Sequence, residues 1–142
     1  ATQVGIGAVL GTKFTWPRDN PYAKEGKFVL TPENEMIWKK WIGIYNKKML
    51  PTGDYLGEIY DIGYDVPEAH LISKADTLYY AFYHKEWNGE ITLKGLEDKS
   101  YHLTDYANDI DYGDVMGPES RIQVRFTGSL LLQAVPRAPS NY

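Results

Sequence analysis

The feature that most constrains the fold is a series of short β segments in the second half of the chain. Stretches rich in aromatic and β-branched residues occur at 69–72, 78–83, 90–93, 100–106, 112–115, 121–126 and 129–134. They recur at roughly ten-residue intervals and are separated by turn residues, a pattern typical of antiparallel sandwiches. The sequence therefore predicts a mainly β protein, with an antiparallel β-sandwich domain over 68–136 and a loose polar tail at 137–142.

The first half of the chain carries a different pattern. Residues 4–10 are a nearly uninterrupted apolar run, which favours a strand covered on both faces. Thr31 and Pro32 then offer an N-cap hydroxyl and a preset first helical position, and apolar residues follow at spacings of three and four as far as Met49. We interpret 1–52 as one β/α unit and 53–67, rich in Gly, Tyr and Asp, as an interdomain junction.

This β/α unit indicates that the sequence is part of something larger. A parallel strand buried on both faces needs neighbouring strands that the chain does not obviously supply.

Composition excludes several classes of function. The 142 residues include no cysteine, so disulfides, thiolate metal sites and cysteine nucleophiles are ruled out. With 15 Lys plus Arg against 19 Asp plus Glu, the formal charge is −4, which argues against nucleic acid as a partner. No apolar run approaches the roughly 20 residues that span a bilayer. We therefore expect no nucleic-acid partner, no membrane partner and no cofactor, and the residues leave secreted, periplasmic and cytoplasmic locations open.

Several stretches resemble one known family. They are residues 11–17, the helix around 38–41, residues 55–70, residues 79–83 with 87–89, and the ending 126–132. Together they are similar to the C-terminal part of melibiase-type α-galactosidases. The resemblance implies a parent (β/α)8 enzyme that hydrolyses terminal α-galactosides with retention, followed by a C-terminal β-domain. Residues 1–52 would then be the last β/α unit of that barrel, which usually takes about 250 residues, more than the 142 present.

The same resemblance implies what this chain lacks. Retaining glycosidases use two carboxylates about 5 Å apart, and in this family those aspartates lie on earlier barrel strands, which have no counterpart here. We therefore expect the chain alone to be inactive and to support the catalytic barrel. Its expected partners are the upstream catalytic barrel of the same polypeptide and the galactoside or oligosaccharide substrate of that enzyme. Without the barrel, the chain could instead self-associate.

The candidate substrate-binding residues are Trp16, Lys13 and Asp19. They follow the predicted strand, and barrel active sites lie at the C-terminal ends of strands. Trp16 would stack on a sugar face, while Lys13 or Asp19 would bond hydroxyls. The alternative, which loops show more often, is that Trp16 packs against Pro17 and only shapes the rim. We predict no catalytic residue and no metal ligand.

Three polar motifs favour structural roles. The acidic junction residues are expected to bond backbone groups and tyrosine hydroxyls, although a pair such as Asp61 and Asp65 could act as acid and base; the set is Asp54, Glu58, Asp61, Asp65 and Glu68. Residues 108–114 suggest a calcium loop but fit an Asx-rich hairpin turn better. The three histidines, His70, His84 and His102, show no metal-ligand spacing.

The 12 tyrosines and 4 tryptophans suit half-buried β surfaces and sugar platforms alike. The best carbohydrate-binding candidates are Tyr79, Tyr80, Phe82, Tyr83 and Trp87. Strand alternation would place Tyr79 and Tyr83 on one face and Tyr80 and Phe82 on the other. The alternative is that one face fills the core and the helix or junction covers the other. A carbohydrate-binding sandwich module and an unrelated interaction domain thus remain the alternative functions.

Overall fold

The computed structural model describes residues 1–10 and 31–139. Its main body is a six-stranded antiparallel sheet with strand order β1-β2-β3-β6-β4-β5. The strands are β1 (Asp54–Tyr55), β2 (Glu68–Lys74), β3 (Thr77–Leu93), β4 (Ser100–Asp105), β5 (Ile110–Met116) and β6 (Ser120–Pro136). The helices are α1 (Thr2–Gly5) and α2 (Pro32–Lys48), and a 3-10 turn follows at Leu50–Thr52. The prediction of a mainly β, antiparallel fold is confirmed.

The strands β3 and β6 are longer than the sequence pattern predicts. Each has 17 residues, so the segments predicted separately at 78–83 and 90–93 are two parts of β3, and those at 121–126 and 129–134 are two parts of β6. The register shifts between His84 and Glu86, opposite Gly128, whose φ of 80° favours glycine. The bulge interrupts the alternation of side chains between the two faces, so one long strand looks in the sequence like two short ones.

The bulge lets β3 fold back over the sheet. Tyr80 Oη donates a hydrogen bond of 2.7 Å to the carbonyl of Lys94, although the two residues are 14 apart in sequence. An extended strand would separate them by about 46 Å, at roughly 3.3 Å per residue. Residues 86–93 and 120–127 therefore form a two-stranded ribbon that packs on one face of the six-stranded sheet, which gives the domain its sandwich-like layers.

Both faces of the sheet carry cores. The larger core lies between the sheet and the ribbon and contains Tyr80, Phe82, Leu103, Leu132 and Ile91, each at most 2% exposed. The smaller core lies on the opposite face and contains Leu50, Ile72, Ala81, Tyr106 and Leu131, with Trp41 and Ile44 of α2 packed against it. The central strands are buried on both sides, because the ribbon packs on one face of the sheet and α2 packs on the other.

The helix α2 begins and ends as the sequence predicts. The side chain of Thr31 accepts a hydrogen bond from the backbone N–H of Asn34, and Pro32 occupies the first turn. Lys47 and Lys48 lie in the last turn, where positive charge complements the helix dipole. The helix stops at Met49, which takes a left-handed conformation with φ 46°.

The predicted strand at 4–10 is wrong. Residues Thr2–Gly5 form one helical turn, and no residue from 6 to 10 belongs to a strand. Every strand pair in the described ranges is antiparallel, so an apolar run that needs parallel neighbours has none. The run instead packs on the sheet: Val4 and Gly5 are buried, and a Cβ on Gly5 would collide with Tyr83 Oη and Ala81.

The proposed division of the chain at residues 52, 67 and 136 stays a prediction. Within the segment 53–67, β1 pairs with Ser73 and Ile72 of β2, so this segment joins the sheet. At the start of the predicted tail, the backbone N–H of Arg137 donates to the carbonyl of Ser100. Residues 140–142 lie outside the described part of the chain.

Candidate functional surfaces

The three predicted substrate-binding residues, Lys13, Trp16 and Asp19, lie outside the described residues, and their role stays a prediction. The site is therefore built from α2 and the sheet. A helix turns 100° per residue, so side chains spaced by three, four and seven share one side. On α2 this spacing separates three sides with different surroundings.

One side of α2 faces the sheet. Trp41 and Ile44 pack against the smaller core, and Lys48 lies one turn further along. The Lys48 ammonium donates a 2.5 Å hydrogen bond to Gln133 Oε1 and lies 5.6 Å from the ring centre of Tyr106. This side attaches the helix to the domain.

A second side of α2 is apolar and partly exposed. We call it the outer stripe, and it consists of Trp38, Ile42, Tyr45 and Met49. Ile42 is 38% exposed and Met49 is 37% exposed. No residue of α2 is buried. A helix with this much exposed apolar surface is typical of an interaction face.

The third side of α2 lines a polar groove. We call it the lysine groove: Lys40, Gly43, Lys47 and Lys48 form its helix wall, and Thr104, Tyr106, Asp109 and Gln133 line it from the sheet. Its volume is about 360 Å³, within the range of small-molecule sites. The sequence reasoning did not identify it. Its available signal was the spacing of Lys40, Gly43 and Lys47, which places two cations and a mid-helix glycine on one side.

Positive charge in the lysine groove is poorly compensated. Within the described ranges, none of Lys40, Lys47 and Lys48 forms an ion pair. Burial, together with the charge of Lys47, lowers the pKa of Lys48, and Asp109 acts in the opposite direction. Lys40 donates to the neutral Oδ1 of Asn108 at 3.4 Å and lies 5.5 Å from the ring centre of Trp41, so neither contact brings a negative charge. The groove can therefore attract an anion.

A buried histidine lies at the β1–β2 edge. His70 Nδ1 is 2.7 Å from Tyr55 Oη, and His70 Nε2 is 2.7 Å from Glu68 Oε1. The Tyr83 ring packs edge-on against the imidazole at 5.7 Å. Both ring nitrogens are occupied, so this arrangement fixes the ring and joins β1 to β2. It agrees with the structural role predicted for His70.

In the acidic junction, one carboxylate bonds a backbone group, as predicted, and another bonds a side chain. Asp65 Oδ2 accepts a 2.7 Å hydrogen bond from the backbone N–H of Asp61, whereas Glu68 bonds His70. Asp65 and Glu90 line a cleft of about 110 Å³. Ligand sites generally need about 300 Å³ or more, so this cleft is too small for a sugar.

Residues of the Asx-rich segment from Ile110 onward belong to β5, and the part before them lies in a hairpin turn, as predicted. It joins β4 to β5, and the buried Asp105 accepts hydrogen bonds from the backbone N–H groups of Ala107 and Asn108. Beside it, His102 contacts Asp111 and Asp114, and hydrogen bonds from Arg137 and His102 lower the pKa of Asp114. In the described part of the chain, no group of three or more His, Asp or Glu side chains could hold a metal ion.

The aromatic candidates divide between the two faces, as alternation predicts. Tyr80 and Phe82 lie in the larger core, and Tyr79 and Tyr83 pack against the smaller core. Trp87 packs against the larger core from the ribbon and contacts His84 at 5.3 Å. These rings are engaged in packing, so this structure favours the core role for the set.

These surfaces define an antiparallel β domain with an attached amphipathic helix. The sequence is 35% identical over 107 residues to A type blood α-D-galactosamine galactosaminidase from Flavonifractor plautii. The match confirms the resemblance to a melibiase-type glycoside hydrolase. It covers 69% of this chain but only 10% of that protein, so the chain spans a small part of this relative. No protein-family model matches the sequence.

Solved structures give weaker likenesses. α-Galactosidase I from Mortierella vinacea matches at 15% identity with a TM-score of 0.44, over 79% of this chain and 30% of that one. A GH27 β-L-arabinopyranosidase from Geobacillus stearothermophilus matches at 12% identity with a TM-score of 0.44, over 61% of this chain and 20% of that one. Because both TM-scores are below 0.5, neither likeness bears on the site.

Of the helices in the described ranges, none combines the length and the apolar character needed to cross a membrane.

Proposed function

We propose that this chain is the C-terminal segment of a retaining, α-galactosidase-like glycoside hydrolase and that it supports the catalytic barrel. The observation that carries the proposal is the exposure of two apolar side chains of the outer stripe, Ile42 at 38% and Met49 at 37%. The 35% identity to a galactosaminidase supports a glycosidase context for that stripe. Supporting the barrel then means covering the stripe with apolar barrel side chains.

The chemistry of the chain favours a supporting role over a catalytic one. A retaining enzyme needs two carboxylates about 5 Å apart in a cleft that admits a sugar ring. The cleft that Asp65 and Glu90 share is about 110 Å³. Asp65 also accepts the backbone bond from Asp61, which makes it part of the segment's own structure. We therefore expect no hydrolysis by this chain alone.

The first test is to extend the reading frame upstream. The proposal expects β/α units with two strand-end carboxylates, and a longer product that hydrolyses 4-nitrophenyl α-galactoside. Proton NMR of the released sugar should show the α-anomer first, as retention requires. A stop codon directly upstream, or an unrelated domain there, would overturn the proposal.

The second test addresses the outer stripe. In the longer product, Ile42→Lys should weaken docking of the barrel, because burying an aliphatic side chain stabilises by about 1.5–3 kcal/mol. Lysine is a good helix former, so α2 itself should persist. The matched control is Ile110→Lys, at a residue 48% exposed on β5.

The readout is thermal unfolding of the longer product together with its hydrolytic rate. Ile42→Lys should lower the unfolding temperature and reduce activity, while Ile110→Lys should change neither. Equal behaviour of the two variants would show that the stripe does not contact the barrel.

A further inference from the structure

The positive charges that line the lysine groove are not balanced by ion pairs within the described part of the chain. Three ammonium groups, those of Lys40, Lys47 and Lys48, line one wall without an ion pair among the described residues. Asp109 is the carboxylate that lines the groove opposite them. Clustered cations repel each other, and a bound anion relieves that repulsion.

Gly43 keeps the helix wall of the lysine groove free of a side chain. It lies in the middle of α2, where glycine is less favourable than alanine. A Cβ built at this position meets nothing within 4 Å, so packing among the described residues does not require glycine here. The missing side chain leaves room for a bound molecule beside the helix backbone at this position.

The opposite wall carries neutral polar groups that suit hydroxyls. Thr104 and Gln133 line the groove, and the Gln133 amide oxygen is occupied by Lys48, which leaves the amide NH₂ to donate. A bare anion would use only the lysines, whereas a ligand with a carboxylate and several hydroxyls would use both walls.

We propose that the lysine groove binds an acidic monosaccharide, a sugar ring that carries one carboxylate. The carboxylate lies against Lys47 and Lys48, and the ring hydroxyls bond Thr104, Gln133 and Asp109. The volume of about 360 Å³ accommodates one such ring with water. The groove and the outer stripe occupy different sides of α2, so this inference does not depend on the proposed function.

The test is isothermal titration calorimetry of the 142-residue chain. The probes are D-galacturonate, neutral D-galactose and inorganic phosphate. The proposal expects galacturonate to bind and the other two to bind at least about tenfold more weakly, because each uses only one wall. Absence of galacturonate binding at millimolar concentration, or equally tight binding of phosphate, would overturn it.

Two variants locate the binding. Lys47→Gln should weaken galacturonate binding by about tenfold or more, since it removes a charged hydrogen-bond partner. Lys39→Gln is the matched control, because Lys39 lies on another side of α2 and pairs with Glu35 at 2.6 Å. An equal loss in both variants would mean nonspecific attraction and would overturn the proposal.

Substitutions of Gly43 test whether binding needs the open space in the groove, whereas the lysine variants test its charge. Gly43→Leu should abolish binding by filling the groove, while Gly43→Ala should retain part of it. Circular dichroism checks that α2 persists in each. If Gly43→Leu fails to fold, the Lys47→Gln and Lys39→Gln pair still decides the outcome.

Discussion

The hydroxyl of Tyr60 fastens the junction segment to the ribbon. It donates a 2.6 Å hydrogen bond to the carbonyl of Thr92 and accepts a 3.0 Å bond from the backbone N–H of Lys94. Tyr60 is 7% exposed, so water has little access to these groups. Tyr60→Phe removes the hydroxyl and keeps the ring, which packs edge-on against Phe82 at 6.1 Å. The substitution therefore removes these two hydrogen bonds and keeps the ring.

The expected loss follows from what remains unpaired. A typical hydrogen bond contributes a net 0.5–1.5 kcal/mol, about 1 kcal/mol on average, and a buried group left without a partner costs about 1–3 kcal/mol. The variant leaves the Thr92 carbonyl and the Lys94 N–H without the tyrosine. We expect the free energy of unfolding to fall by about 2–3 kcal/mol. For a chain of this size, that lowers the unfolding temperature by about 6–10 °C.

The assay is urea unfolding followed by circular dichroism, with Tyr64→Phe as the matched control. Tyr64 belongs to the same segment but is 88% exposed, so its variant should stay within about 0.5 kcal/mol of the parent. If Tyr60→Phe were as stable as Tyr64→Phe, the segment would not depend on this hydroxyl. The inference that residues around 60 are fastened to the ribbon would then be wrong.

Two further predictions concern the helix and the buried phenols. Gly43→Ala should raise the free energy of unfolding by up to about 1 kcal/mol, because the added methyl meets open space and alanine favours the helix; a lower midpoint in urea would contradict this. Burial raises the pKa of Tyr60, Tyr80 and Tyr106 above the ordinary value of 10.0. The unfolded chain therefore releases these protons first, and stability should be intact below pH 10.0 and fall as the pH rises above it. Ultraviolet titration should show phenolate forming later in the native protein than in guanidinium, and coincident curves would refute the prediction.

Local signals were enough to predict part of the fold. The cap at Thr31 and the apolar spacing of α2 depend on neighbours within a few residues, and the helix was predicted correctly. The turn residues that separate the predicted segments 69–72 and 78–83 do form a tight turn, in which Lys74 pairs with Thr77 around two residues. In both cases short-range chemistry is sufficient to determine the structure.

The parts of the fold that the sequence did not predict depend on contacts between residues that are far apart in the chain. The run at 4–10 has the composition of a buried strand, but strand formation requires a neighbouring strand to share hydrogen bonds. The fold of β3 depends on a bulge between His84 and Glu86, and the glycine that marks it, Gly128, lies on the partner strand and far away in sequence. The lysine groove forms where α2 lies over Gln133 and Tyr106. The contact between Lys48 and Gln133 joins residues that are 85 apart in sequence.

The excess of tyrosine has a physical explanation in the turn that leaves the ribbon. Tyr60 bonds Thr92 and Lys94, Tyr80 Oη donates to the Lys94 carbonyl, and Tyr101 Oη accepts from the backbone N–H of Glu97. Backbone that folds back over a core loses both its strand partners and water, so its polar groups need other partners. Tyrosine can supply them from within the core, because its ring packs like an apolar residue and its hydroxyl reaches the edge. Three tyrosines converging on one short segment thus make the fold-back possible, and a sugar platform is not needed to explain them.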